Sequence, residues 1–171
     1  MTGAGSKVQN LKLTNSYLNS TKSGLGSIVG QGRGIIENVY SNATVVSSTS
    51  QVGGFIGLAY DKNVQLNKCW FDGTVTNKAT EKAGRGTGGL IGTVYDDASA
   101  KITSCLNTGT VDAQKYTYNQ AKTGKNITPI TGGLVGWVRK KSSTLDITDC
   151  LNTGVVKVSD KATGGYGSVL G

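Results

Sequence analysis

The sequence contains no histidine, which removes the commonest general base of enzymes and a frequent metal ligand. Proline occurs once in 171 residues, where an ordinary usage of about 5% would give roughly nine. This scarcity excludes a collagen-like chain. No apolar run approaches the ~18 residues of a membrane span, and the opening MTGAGSK has no apolar core and is not a signal peptide. We therefore expect neither a cofactor nor a metal.

Glycine and positive charge are the two excesses of the composition. The chain has 26 glycines, about twice the usual share of residues. Lysine and arginine number 18 against 10 carboxylates, which gives a net charge of +8. Such a balance favours acidic partners such as anionic glycans. The length of 171 residues fits one domain.

Two short motifs recur along the chain. The first reads SIVG (27–30), GFIG (54–57), GLIG (89–92), GLVG (133–136) and SVLG (168–171). The second follows the first four copies as IENVYSNATV (36–45), LNKCWFDGTV (66–75), ITSCLNTGTV (102–111) and ITDCLNTGVV (147–156). The length of the units varies mainly after the second motif, and the longest insertion lies between Val111 and Gly133. Insertions at one position of each unit are typical of stacked repeats.

The repeated segments are short, rich in Val, Ile and Thr, and bounded by Gly, Asn, Asp and Ser, as strands are. A unit of roughly 24 core residues cannot bury its own apolar side, whereas stacked units can. We therefore predict an all-β fold, a parallel β-helix (β-solenoid) of about four to five coils. The repeats occupy 24–171, and 1–23 forms a degenerate first coil and cap. The chain ends inside a motif at Gly171, so we expect it to be truncated there and to continue in its parent protein.

Alignment of the copies places equivalent residues in columns along the stack. The columns are Ile28, Phe55, Leu90, Leu134 and Val169; Ile36, Leu66, Ile102 and Ile147; and Val39, Cys69, Cys105 and Cys150. The second and third columns are three residues apart, so strand alternation would place them on opposite faces. Both can point inward only if a kink lies between them. A further column of Ala43, Gly73, Gly109 and Gly154 predicts a tight turn with left-handed backbone.

The three cysteines are an odd number without a CxxC spacing, which fits neither a closed disulfide framework nor a zinc site. Val39 replaces cysteine in the first copy, and this exchange indicates a packing role because free cysteine behaves as a small buried hydrophobe. We predict that Cys69, Cys105 and Cys150 are reduced and buried. A disulfide and a reactive thiol are the alternatives.

The pattern GGLVG followed by ITDCLNTGVV resembles the GLUG repeat, which occurs in large bacterial cell-surface and secreted proteins. These include adhesin-like proteins and the accessory regions of IgA-specific metalloproteases. The resemblance covers roughly 24–171 and implies a parallel β-helix that acts as a stalk or binding module. The protease's zinc motif has no counterpart, because the sequence has no HEXXH and no histidine.

Two other patterns suggest chemistry but favour structural roles. GRGTGG (84–89) matches a dinucleotide-binding fingerprint, which requires a following helix. The segment LIGTVY follows instead and is typical of a strand. The pair Asp96–Asp97 could serve an acid–base or metal site, but the same position carries Asp61–Lys62 and Arg139–Lys140–Lys141 in the neighbouring copies. Stacked opposite charges indicate a solvated surface.

The insertion 112–132 is the candidate binding site. It carries basic and aromatic residues side by side: Lys115, Tyr116, Tyr118, Lys122 and Lys125. Charge and stacking together can bind an anionic polymer. The alternative interpretation is a solvated excursion from one corner of the stack.

We predict a non-catalytic fragment of a bacterial surface protein, extracellular or at the cell surface, that serves as a stalk, adhesion or display module. Its expected partners are an anionic glycan or host surface and the rest of the parent chain at the C-terminal end. We expect no membrane span and no specific nucleic acid. The alternatives are a carbohydrate-active β-helix enzyme, either a polysaccharide hydrolase or a lyase, and an accessory module of a secreted protease.

Overall fold

The computed structural model describes residues 5–79, 86–114, 118–120, 125–127, 130–159 and 165–171. Within these ranges the chain is all-β and contains no helix. The strands of the first two units are β1 (Lys7–Leu13), β2 (Tyr17–Ser20), β3 (Val29–Ser41) and β4 (Thr44–Ser47). Those of the third unit are β5 (Val52–Gly53), β6 (Ile56–Asn67), β7 (Trp70–Phe71) and β8 (Thr74–Asn77).

The fourth unit contains β9 (Gly86–Gly88), β10 (Ile91–Val94), β11 (Ser99–Thr103), β12 (Leu106–Asn107) and β13 (Thr110–Ala113). An antiparallel hairpin of β14 (Tyr118–Gln120) and β15 (Lys125–Ile127) follows. The last unit contains β16 (Ile130–Gly132), β17 (Val135–Val138), β18 (Thr144–Thr148), β19 (Leu151–Asn152), β20 (Val155–Val158) and β21 (Tyr166–Gly167).

Parallel pairing between successive units builds three sheets. The largest has ten strands and contains β3, β6 and β10 with their equivalents. The second contains β2, β4, β8, β13 and β20, and the third contains β5, β9, β16 and β21. Each repeat thus passes through the third, first and second sheets in turn and then pairs with the unit before it. All-β structure and parallel, in-register stacking, both predicted from the repeat, are confirmed for the described residues.

The interior consists of the predicted columns. Phe55, Leu90 and Leu134 are buried, as are Ile36, Leu66 and Ile102. The rings of Phe55 and Phe71 pack edge to face with centroids 5.9 Å apart. At the C-terminal end of the stack the columns are more open, since Ile147 is half-buried and Val169 is 43% exposed. The division at residues 23 and 24 stays a prediction, although β1 and β2 do pair with β3 and β4.

The kink between the isoleucine and cysteine columns is a left-handed residue in every unit. Its column is Asn10, Asn38, Lys68, Ser104 and Asp149, with φ between 51° and 53°. A left-handed residue breaks the alternation of a strand, so Ile102 and Cys105 both enter the core although three positions separate them. The residue after the cysteine column then points outward, which builds the surface described below.

The glycine column has a different cause from the one predicted. Gly73, Gly109 and Gly154 do not have positive φ. A Cβ on Gly109 would instead lie 2.2 Å from the carbonyl oxygen of Gly73 in the neighbouring unit. The tight-turn prediction of left-handed backbone was therefore wrong at this column, because the close approach of stacked main chains is what requires glycine there.

The GRGTGG segment leads into strands, as expected. Residues 86–88 form β9 and residues 91–94 form β10, so no helix N-terminus follows the glycines. Without that helix the phosphate-binding geometry of a dinucleotide site does not arise. Residues 84 and 85 lie outside the described part of the chain.

Candidate functional site

The predicted binding residues of the insertion are only partly described. Tyr118 lies on β14 and Lys125 on β15, and the backbone register pairs Tyr118 with Ile127 and Gln120 with Lys125. Lys115, Tyr116 and Lys122 lie outside the described residues. The insertion as an anionic-polymer site therefore stays a prediction.

A second aromatic surface, which the sequence analysis missed, lies on the ten-stranded sheet. The backbone register stacks Lys12, Tyr40 and Trp70 on successive units. They follow the left-handed column by two positions and therefore point outward. The rings of Tyr40 and Trp70 meet edge to face at 5.0 Å between centroids, and Lys12 Nζ lies 5.4 Å from the centre of the Tyr40 ring. We call Lys12, Tyr40, Lys68 and Trp70 the aromatic platform.

Hydrogen bonds fix the indole of Trp70 although 43% of the residue is exposed. Its Nε1 donates to Thr108 Oγ1 at 2.8 Å. The Thr108 hydroxyl in turn donates to Asp72 Oδ1 at 2.5 Å, and Tyr40 Oη lies 3.5 Å from the other oxygen of that carboxylate. The polar end of the ring is thus tied to the neighbouring unit, while much of the residue stays exposed to solvent.

A shallow groove of about 470 Å³ runs along the platform. Lys12 and Lys68 are exposed at this groove. Its floor includes the ladder of Asn10 and Asn38, in which Asn38 Nδ2 donates to Asn10 Oδ1 at 2.7 Å. The groove therefore combines an aromatic face, two ammonium groups and amides that can donate or accept hydrogen bonds.

A second groove, of about 680 Å³, lies on another part of the molecule. Tyr60 and Tyr95 line it together with the amides of Gln31 and Gln51. The guanidinium of Arg139 covers the Tyr95 ring at 4.4 Å from its centre, which leaves less of that ring for a ligand.

The predicted acidic pair is part of an ion-pair surface. Asp96 contacts Arg139 at 3.3 Å and Lys140 at 3.1 Å, both from the next unit, while Asp97 is exposed. Asp61 pairs with Arg33 of the preceding unit. The interpretation as stacked opposite charges is confirmed for these contacts.

Two carboxyl groups are perturbed by such contacts. A hydrogen bond from Lys7, whose Nζ lies 2.6 Å from Glu37 Oε2, lowers the pKa of Glu37 from its usual value, and Asn67 adds to this effect. The hydrogen bond from Arg33 likewise lowers the pKa of Asp61. Both groups therefore hold their charge more strongly than an isolated carboxylate does.

The cysteines stack on successive units as free thiols. Cys69 and Cys105 are buried and Cys150 is half-buried. The backbone N–H of Cys69 donates to Cys105 Sγ at 3.4 Å, and that of Cys105 donates to Cys150 Sγ at 3.4 Å. The side-chain contact between the Cys69 and Cys105 thiols, together with burial, raises the pKa of Cys105 well above its usual value, although the backbone N–H of Cys69 opposes this shift. The reduced core column is thus confirmed for Cys69 and Cys105, with Cys150 at its more open end.

In the described ranges no group of three or more Cys, Asp or Glu side chains is placed to hold a metal ion. No helix there has the length and apolar character that crossing a bilayer would need. The sequence places aromatic residues directly after the third column in IENVY and LNKCW, but the left-handed residue before each of them is what turns them outward.

Comparison with known proteins supports the fold and leaves the function open. No protein-family model and no curated protein matches this sequence. The chain is similar to a solved structure of a putative immunoglobulin A1 protease from Bacteroides ovatus, with a TM-score of 0.61 and 18% identity. The similarity covers 99% of this chain and 65% of that one, so the chain spans slightly less than two thirds of its length.

Proposed function

We propose that the chain is a closed parallel β-helix that serves as a non-catalytic stalk, adhesion or display module of a bacterial surface protein. The observation that carries this proposal is the in-register stacking of successive units through the same three sheets. Such stacking makes a rigid rod whose outward columns repeat along its length. A rod of this kind suits the presentation of binding surfaces away from a cell.

The charge arrangement favours a scaffold over the alternative carbohydrate-active enzyme. Glycoside hydrolysis ordinarily needs two carboxyl groups that face each other across the substrate. In this chain Glu37, Asp61, Asp96 and Asp146 each contact a Lys or Arg of a neighbouring unit. These contacts use the carboxylates to hold units together, and no histidine is available as a substitute base.

The similar solved structure supports a further form of the same proposal. That structure is described as a putative immunoglobulin A1 protease, and this chain covers 65% of it. An accessory module of a secreted protease would have the same requirements as an adhesive stalk, namely rigidity and an exposed binding surface. We therefore propose an extracellular or cell-surface location for the parent protein and an anionic glycan as the partner.

The test combines retention on an acidic glycan with a search for catalysis. We expect immobilised polygalacturonate to retain the chain at low salt and to release it as salt rises, because exposed charges are screened over about 8–10 Å. We also expect neither new reducing ends nor unsaturated products when the chain is incubated with the soluble polymer. If products form, and Asp96→Asn or Asp97→Asn abolishes their formation, the chain is a carbohydrate-active enzyme and the proposal is wrong.

A matched variant tests the insertion. We expect replacement of Lys115, Lys122 and Lys125 by Ser, together with Tyr116 and Tyr118 by Ala, to weaken retention if the insertion is a site. Equal retention by a folded variant would remove the insertion from the proposal. If no acidic glycan retains the unsubstituted chain, the proposed function is reduced to that of a spacer.

A further inference from the structure

The aromatic platform has a feature that packing does not explain. Trp70 exposes 43% of its surface, yet its indole is held by a chain of hydrogen bonds through Thr108 to Asp72. A side chain that only covered the sheet would not need a fixed ring orientation. A ring that is exposed and immobilised instead offers a large contact area at low entropic cost to a ligand.

The surroundings of the ring specify the chemistry of that ligand. Lys12 and Lys68 are exposed on the same groove, and the Asn10–Asn38 ladder supplies amides beside them. Neither Asp72, which accepts from Thr108, nor Glu37, which pairs with Lys7 at 2.6 Å, lines this groove. A ligand there would meet one flat apolar face, positive charge and polar amides.

We propose that the aromatic platform binds an acidic oligosaccharide, with the apolar face of one sugar ring on Trp70 and its carboxylate between Lys12 and Lys68. The sugar hydroxyls face the amides of Asn10 and Asn38, which can donate and accept. This inference rests on the proposed adhesive function and assigns its ligand to a surface other than the insertion. It requires no covalent step.

The geometry favours a glycan over a single-stranded nucleic acid. Binding of successive bases needs a series of aromatic faces on which they can stack. The Tyr40 and Trp70 rings are inclined by 74°, so they do not present two parallel faces on which successive bases could stack. A single stacked sugar with hydroxyls on its rim matches this arrangement better than a run of bases.

Calorimetry with a hexamer of galacturonic acid tests the proposal. We expect Trp70→Ala to weaken binding by at least about tenfold, since the loss of one stacking partner has effects of that order. Lys12→Gln combined with Lys68→Gln should weaken binding and flatten its dependence on salt. Tyr166→Ala is the matched control, because Tyr166 is 59% exposed and lies on β21, outside the ten-stranded sheet. It should bind as the parent does.

A spectroscopic readout locates the ligand directly. The chain has two tryptophans, so Trp137→Phe leaves Trp70 as the single fluorophore. We expect the hexamer to shift or quench its emission, with a midpoint equal to the calorimetric one. Far-UV spectra and melting temperatures show whether each variant is folded. Trp70→Phe keeps an aromatic ring and should retain part of the affinity for the hexamer. This variant provides the affinity measurement if Trp70→Ala does not fold.

Three results would overturn the inference. If folded Trp70→Ala binds as the parent does while the insertion variant does not, the ligand site is the insertion and the adhesive function stands. If oligothymidylate binds as tightly as the uronate hexamer, the platform is a nucleic-acid surface. If the parent binds no acidic oligosaccharide at all, both this inference and the adhesive function fail.

Discussion

Replacing Gly109 by alanine tests why glycine recurs in one column of the stack. An ideal Cβ at this position would lie 2.2 Å from the carbonyl oxygen of Gly73 and 2.9 Å from its nitrogen. Favourable contacts of a carbon atom occur at about 3.5–4.0 Å, so the two units would have to separate by more than about 1 Å. The obstacle is main chain and cannot rotate away as a side chain could.

The neighbouring contacts resist this separation. Thr110 N donates to Gly73 O at 2.9 Å, and Val111 is fully buried in the core. Overpacking of this kind typically costs about 1–3 kcal/mol, with rigid sites at the upper end. Alanine recovers about 0.4–1 kcal/mol by restricting the unfolded chain. We therefore expect Gly109→Ala to lower the free energy of unfolding by about 2 kcal/mol.

Urea unfolding followed by far-UV circular dichroism and by tryptophan fluorescence measures this loss. Ala43→Gly is the matched control, because Ala43 occupies the same column and already accommodates a buried Cβ. Its cost should be about 1–2 kcal/mol, from backbone entropy and the loss of one buried methyl group, with no steric contribution. Agreement of the two probes shows that unfolding is cooperative across the units.

Gly109→Asn separates close approach from left-handed backbone. Asparagine tolerates positive φ better than alanine does, so a left-handed turn would accept it. A collision with the Gly73 carbonyl affects any residue that has a Cβ. An asparagine variant as stable as the parent would refute the reasoning and restore the turn interpretation.

Three further predictions concern buried polar groups and charge. Asn107→Ala should cost about 1–3 kcal/mol in urea unfolding, because fully buried Asn107 donates to the Gly133 carbonyl at 2.8 Å, and that acceptor loses its donor; a cost below 0.5 kcal/mol would contradict this. Cys69→Val should leave the free energy of unfolding nearly unchanged. A thiol reagent should label Cys105 in the native chain only as fast as the fold opens, because its pKa is raised; immediate labelling would show an accessible thiol. The pKa of Glu37 is lower in the folded chain than in the unfolded one, so its charge stabilises the fold fully above the unfolded pKa, and this stabilisation is lost as pH falls through the folded pKa. Glu37→Gln should therefore flatten the acid limb of a plot of melting temperature against pH. An unchanged limb would contradict this.

The repeat was enough to predict the parallel stacking of the units because it constrains pairing directly. Equivalent positions in GLIG and GLVG must stack if the units are parallel, and the register pairs Ile91 with Val135 accordingly. Composition contributed less, since high glycine content alone has several explanations. The columns predicted from alignment are the columns of the core.

The kink and the glycine column show what sequence reasoning could not resolve. Lys68 and Ser104 are not residues that ordinarily indicate left-handed backbone, so the kink was foreseen as a requirement but not located. Glycine has two uses, positive φ and close approach, and only the distance between units distinguishes them. Trp70 was missed because its exposure depends on the kink before it.

At the corner between β13 and β16, the length of the connection does not affect the register in which the two strands pair with the preceding unit. Thr110 is held opposite Thr74, and Ile130 is held opposite Gly86, by the unit below. Whatever joins Ala113 to Ile130, the two ends meet the same neighbours, and each doubling of a flexible connection costs only about 0.6 kcal/mol. We therefore expect this corner to be a permissive graft position, at which a foreign epitope, an affinity tag or a whole small domain can be carried without disturbing the parallel pairing of the units.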